Sequence, residues 1–235
     1  MKHVPMIFNS AMVKALLDGR KTVTRRPLRI PEGWELADTK LSKITSSHPK
    51  KGKWGALVRS GVGAEFPQAD LITAPCSVGD LVWVRETFCM GRIDEHDADH
   101  PADRYKYVEQ CEGDSNYSIS KAQCEMDSIE VHEVKWTPSI HMPKAASRIT
   151  LKVTDVRIER VTDISDEQAV SEGMPSREEA QRMAVSAGLD WYDRPTKWFK
   201  RLWQQIYGDE SWSQAQFVWV IEFEMINQNV TNVAA

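Results

Sequence analysis

The sequence predicts an α+β chain in which short branched strands are interleaved with capped helices and long loop-rich stretches. Three observations predict it. Leu81-Val82-Trp83-Val84-Arg85-Glu86 and the run from Phe217 to Met225 have the branched and aromatic content of buried strands. Residues 148–160 place Ile149, Leu151 and Val153 on one face with a period of two. Ser165-Asp166-Glu167-Gln168 and Ser176-Arg177-Glu178-Glu179 each spell a capping box, in which a serine and a residue three positions on satisfy each other's backbone N–H groups.

Taken in order, Ser10 can cap a helix with Met12, Val13, Leu16 and Leu17 on one face and Gly19 as its stop. Lys21 to Arg26 then alternates as a strand does, until Pro27 ends it. Residues 28–76 are mixed, and Thr45 to Lys53 is polar, basic and expected to be an exposed loop. Gly79-Asp80 turns the chain into the strand 81–86. Residues 91–130 are acidic and polar, which predicts a loop-rich insertion with a short hairpin at most. Trp136 to Pro143 is an extended segment punctuated by Pro138 and Pro143. Along 148–160 the apolar phase shifts at Asp155, so that Val156 and Ile158 continue the set, as a bulge would allow. The first capping box opens a short helix that Gly173 ends, and the second opens one to about Ala187. A third helix over 196–207 carries Phe199, Leu202, Trp203 and Ile206 at helical spacing, with Gly208 after it. The final strand sets Trp219, Ile221 and Phe223 against Glu222 and Glu224, and residues 227–235 read as a frayed tail.

Composition bounds the function. With 41% hydrophobic and 27% charged residues over 235 positions, the chain can build a packed core, and general disorder is excluded. A net charge of −4 argues against a protein that coats nucleic acid non-specifically, yet leaves a local basic cleft open. No apolar run approaches the roughly 20 residues that span a bilayer. The first seventeen residues hold no sustained apolar run and no small-residue cleavage site, so a cytoplasmic protein without membrane partners is expected. The four cysteines, Cys76, Cys89, Cys111 and Cys124, form no CxxC, so neither a disulfide framework nor a cysteine zinc site is expected. The histidines His96, His100, His132 and His141 show no metal-ligand spacing with them, and no cofactor motif is present. The nine tryptophans read first as core.

Four places carry chemistry. The cations Lys21, Arg25, Arg26 and Arg29 cluster within nine residues, which suits phosphate or carboxylate contact, although an edge strand facing water would look similar. Lys21 and Thr24 fall on opposite faces of a regular strand and share a cleft only if the backbone turns between them. Glu172 closes a capped helix, where the dipole disfavours a carboxylate and a proton is held more readily, the property of a general acid; an exposed helix-end glutamate is the plainer alternative. Trp83 and Arg85 share a strand face that can hold a base by stacking, with Glu86 pointing the other way, unless Trp83 is core and the charges pair at an edge. His141 is a candidate acid, base or ligand, or a structural histidine.

Gly19-Arg20-Lys21-Thr22-Val23-Thr24-Arg25 resembles the signature of the ASCH superfamily, whose fold is similar to PUA RNA-binding domains. Gly79 to Glu86 resembles its second block, Arg148 to Gly173 its third and Phe217 to Phe223 its closing strand. With Trp136 to Pro143 before the third block, the order is most similar to the longer ASCH-like proteins of tailed bacteriophages and prophages. The resemblance implies a PUA-like mixed β-barrel with peripheral helices, in one domain over 1–226 in a bacterial host cytoplasm. Its core would be about 5–29, 77–90, 145–175 and 213–226, with insertions at about 30–76, 91–135 and 176–212 and a flexible tail at 227–235. Small bacterial members deacetylate N4-acetylcytidine with a lysine, a threonine and a glutamate. The resemblance places these on Lys21 as base, Thr24 as nucleophile and Glu172 as acid, with Arg20, Arg25, Arg26, Trp83, Arg85, Glu86 and His141 toward a nucleoside, nucleotide or single-stranded RNA. Other members are RNA binders or ribonucleases, so a non-catalytic binding module, a ribonuclease or a phage accessory protein are the alternatives.

Overall fold

The computed structural model describes residues 1–45, 49–61, 63, 68–95, 105–109, 118–129, 134–186, 188 and 194–233. It is an α+β arrangement whose chain divides into two compact units, each discontinuous in sequence. The first comprises Met1–Gly19, Leu81–Lys152 and Met225–Ala235; the second comprises Arg20–Asp80 and Val153–Glu224.

In the first unit, strand β1 (His3–Ile7) runs parallel to β6 (Leu81–Arg85), which is antiparallel to the first residues of β10 (Thr150–Arg160). β6 is buried along almost its whole length because it is flanked on both sides, and the Gly79-Asp80 turn leads into it as expected. Gly79 has φ 85°, a left-handed conformation that its missing Cβ makes accessible. Helix α1 (Ser10–Leu17) follows β1, but its cap is Asn9, whose side chain accepts from the Met12 N–H; Ser10 is already helical.

Residues 91–130 hold more order than the polar composition predicts. Strand β7 (Phe88–Glu95) pairs with β8 (Tyr105–Glu109) and with β9 (Ser118–Ser120), and α2 (Lys121–Met126) follows, capped by Ser120. Trp136 to Pro143 is extended only at its start, where Thr137 bridges Phe88; Ser139–His141 is then a 3₁₀ turn. The expected frayed tail is instead held down. The Asn229 amide donates to the carbonyls of Lys144, Ala145 and Ser147 at 3.0, 3.1 and 2.5 Å, and Val230 is buried against Leu81 and Trp83.

The second unit contains two sheets. One has the order β10-β11-β2, with β11 (Phe217–Ile226) in the middle and β2 (Val23–Pro27) antiparallel to it in unbroken register from Val23↔Glu222 to Pro27↔Val218. Burial along β10 changes phase at Asp155, as the sequence indicates: Leu151 and Val153 are buried, then Val156 and Ile158. The other sheet is an antiparallel meander of β3 (Trp34–Lys43), β4 (Trp54–Ser60) and β5 (Gln68–Thr73), which fills much of the stretch whose elements the sequence leaves undefined.

Helix α3 (Asp166–Ser171) has the full capping box at Ser165 and Gln168, and Gly173 (φ 98°) ends it. Helices α4 (Arg177–Ser186), α5 (Pro195–Tyr207) and the short α6 (Glu210–Ser213) follow. Phe199 and Trp203 of α5 pack with Val23, Val161, Ile164, Ala169, Val218 and Val220 to form the core of this unit. Ile206, at the end of the predicted apolar stripe, is 44% exposed, because the buried row follows Phe199 and Trp203 to Tyr207. No sheet closes into a barrel among the described residues, and no described helix is long and apolar enough to cross a membrane.

Candidate active site

The second unit brings Lys21 and Glu172 together. Lys21 forms an antiparallel bridge with Glu172, and the Thr22 N–H donates to the Ser171 carbonyl at 2.9 Å, so the end of α3 is stitched to the chain just before β2. Glu172 is the C-cap of α3, placed there by the capping box at its other end and by the Gly173 turn. The Lys21 Nζ donates at 2.8 Å to one carboxylate oxygen of Glu172 and at 2.8 Å to its backbone carbonyl, across 151 residues of sequence. Arg20 donates to the next two carbonyls, Gly173 at 2.9 Å and Met174 at 3.1 Å.

Arg25 completes the cluster. Its guanidinium gives Nη1 to the other Glu172 oxygen at 3.1 Å and Nη2 to Glu159 at 3.0 Å, while its plane lies 5.7 Å from the centre of the Phe199 ring. Its side chain is fully buried, so this arginine is committed to two carboxylates of its own unit. Glu159 in turn accepts from Arg157 at 2.6 Å, and Arg157 also donates to Asp155 at 2.7 Å and Glu222 at 2.5 Å. Burial alone would raise the Glu159 carboxyl, but the Arg157 hydrogen bond, the Arg157 charge and Arg25 outweigh it and hold it below the usual range.

Lys21 is 1% exposed, and desolvation is the largest influence on its amine. Burial pushes the pKa down, Glu172 pushes it up, and the charges of Arg26 and Arg25 push it down again, with a net lowering. Geometry gives that direction a use. A neutral amine has two N–H donors and one lone pair, and the two donors are taken by the Glu172 carboxylate and carbonyl. The lone pair then faces neither, which is the arrangement of a base.

Thr24 is buried and paired with Ile221 across the sheet, and its hydroxyl makes no hydrogen bond to Lys21 or Glu172. In the unbroken strand it shares a face with Arg26, while Val23 and Arg25 point to the Phe199 side. The structure thus joins two of the three expected groups directly.

The remaining expected residues lie in the first unit and are largely engaged. Trp83 is 9% exposed, packed against Leu81 and Val230, with the Arg85 guanidinium 5.5 Å from its ring centre. Glu86 is 1% exposed and accepts from Arg148 at 2.9 and 3.3 Å and from the Ser120 hydroxyl; its N–H meets the Met142 sulfur at 3.3 Å. His141 is exposed on its 3₁₀ turn. His96, His100, Cys111 and His132 lie outside the described residues. Burial pushes the Cys76 thiol up to about 12 and the Cys89 thiol up to about 11, so neither is a nucleophile at neutral pH.

Sequence reasoning missed Glu159 and Arg157. The signal was present: beyond the phase shift, Asp155, Arg157 and Glu159 alternate with Val156 and Ile158, which puts a charged row on one face of β10. Comparison with protein-family models, curated proteins and solved structures returns no match.

Proposed function

We propose that this chain is an ASCH-type, PUA-like protein that hydrolyses the acyl amide of a modified nucleobase, of the N4-acetylcytidine kind. The observation that carries the reading is the buried Lys21–Glu172 contact at 2.8 Å, between residues that the resemblance makes catalytic. The Thr24 hydroxyl oxygen attacks the acetyl carbonyl carbon and its proton goes to the Lys21 lone pair. That proton passes along the 2.8 Å hydrogen bond to Glu172, which delivers it to the departing nitrogen as the C–N bond breaks. Water then cleaves the threonyl ester, releasing acetate and restoring the hydroxyl. On this route Glu172 receives its proton from Lys21, so the mechanism does not depend on a proton held by the helix end. Attack requires the Thr24 hydroxyl to come within hydrogen-bond reach of Lys21 when substrate is bound.

The test is acetate and cytidine release from N4-acetylcytidine, its nucleotide and acetylated RNA by the purified chain. Turnover abolished by Thr24→Ala supports the reading; no release from any of the three ends it.

A second reading is a binding module for RNA or a modified base. It is favoured by the way Arg20 and Lys21 clasp three successive carbonyls at the end of α3, which is what a purely structural clamp does. It predicts ligand binding that survives Thr24→Ala and weakens with salt.

A further inference from the structure

The outer face of α5 is a second place with chemistry. Its inner row, Phe199 and Trp203, is in the core. Its outer face lines a groove of about 350 Å³ with Lys197, Lys200, Arg201, Gln204, Gln205 and Asp209. The three cations and Gln205 are exposed.

A helix face that is merely solvated usually pairs its cations with Glu or Asp one turn away. Helix α5 contains no acidic residue in its 13 positions, PTKWFKRLWQQIY. Lys200 and Arg201 make no ion pair among the described residues. In a chain of net charge −4, three cations within residues 197–201 reverse the sign locally.

We propose that this groove holds the sugar–phosphate backbone of a single-stranded nucleic acid. Lys197, Lys200 and Arg201 stand at i, i+3 and i+4, so they form one ledge spanning about 6 Å along the helix axis. Ammonium and guanidinium groups are the usual phosphate partners, and the exposed Gln205 amide adds a further N–H donor, whereas the Gln204 amide already donates to the Asp209 carbonyl at 2.9 Å. No apolar side chain lines the groove, so it lacks the pocket that anchors a peptide side chain and the apolar face that enters a lipid surface. Asp209 bounds one end and turns phosphate away from it. The surface is independent of any hydrolysis at Lys21.

Fluorescence anisotropy on labelled 12-nucleotide RNA and DNA strands, from 25 to 200 mM salt, tests it with the full chain. Three phosphate contacts on a single strand correspond to a slope in log K against log salt of about −2. The triple variant K197A/K200A/R201A, checked for an unchanged thermal melt, should bind at least tenfold more weakly at low salt and lose that slope. Lys40→Ala, which removes an exposed cation of β3 outside the groove, should bind as the parent does. Binding of either strand with this loss supports the proposal, and the strand preferred identifies the source of the phosphates. The proposal is overturned if the parent binds neither strand at 25 mM salt, or if the triple variant keeps the parent's affinity and slope. It is equally overturned if dextran sulfate binds as tightly with the same dependence on the three cations, which would make the groove a general polyanion surface.

Discussion

Each unit buries one carboxylate under an arginine, and the two clusters differ in what they can do. Glu86 is held by Arg148, the Ser120 hydroxyl and, through Arg148, the Gln123 amide at 2.8 Å. None of those partners gives up or takes a proton near neutrality, so the cluster can only fix β6, β9 and α2 to one another. Glu172 is held by Arg25 and by Lys21. Exchange one arginine for a lysine, bury it, and the pair gains a member that can act as a base. The clusters also differ in exposure. The Arg148 side chain is 29% exposed and can turn to water, whereas those of Lys21 and Arg25 are fully buried. The lesson is that a buried ion pair becomes chemistry through the residue type of its cation, and becomes indispensable through that cation's isolation from water.

The sharpest way to break the comparison is kinetic. If the Lys21 cluster is a catalytic one, Thr24→Ala should lower amide hydrolysis by roughly a thousandfold or more, while Ser120→Ala leaves it within about twofold. The readout is cytidine release, with thermal melts to show that both variants fold. Equal losses in the two would assign the effect to folding and remove the distinction.

Stability gives the next largest contrast. Glu172→Gln leaves Arg25 with Glu159 alone and takes from Lys21 its counter-charge, and loss of a buried counter-charge typically costs about 3–5 kcal/mol. Glu86→Gln leaves an arginine that can reach solvent, and should cost about 1–2 kcal/mol. Urea denaturation of both variants measures the difference. A Glu86→Gln variant that is the weaker of the two would show that cation exposure is not what separates the clusters.

How much of this could be read beforehand depends on the range of the interaction. Helix α3 was legible because Ser165 and Gln168 act within one turn of each other and Gly173 stops the helix about two turns on. Strand β6 was legible because it is buried on both faces and therefore nearly continuous in apolar character, and β11 because Trp219, Ile221 and Phe223 alternate with Glu222 and Glu224. Strand β3 was not: it is mostly exposed, carries charges on both faces and shifts register between Leu36 and Leu41. The tail was misread because its anchor is one asparagine amide reaching carbonyls more than 80 residues away, for which no periodicity exists. At the site, the meeting of Lys21 and Glu172 followed from the family resemblance, since no local pattern links residues 151 apart. Arg25 was expected to face a ligand; its position two residues after Val23, on the face that packs against Phe199, is what turns it inward.

The smallest expected effect decides what kind of pair Lys21 and Glu172 are. The unfolded chain keeps the Lys21 proton up to the ordinary pKa of 10.5, whereas burial makes the folded chain release it earlier. Below the folded pKa both states carry the proton and the cost of burying the charge is felt in full. Between the folded pKa and 10.5 the unfolded state binds more protons than the folded one, so stability must rise with pH. Lys21→Met has no such proton. Urea midpoints from pH 7 to 10 should therefore move in favour of the parent relative to Lys21→Met as the pH increases, and hydrolysis should climb over the same interval. A gap that stays flat up to pH 10, or moves against the parent, would mean that Glu172 outweighs desolvation and keeps Lys21 charged. A lysine held charged has no lone pair for the Thr24 proton, and the second cluster would then be a structural clamp of the same kind as the first.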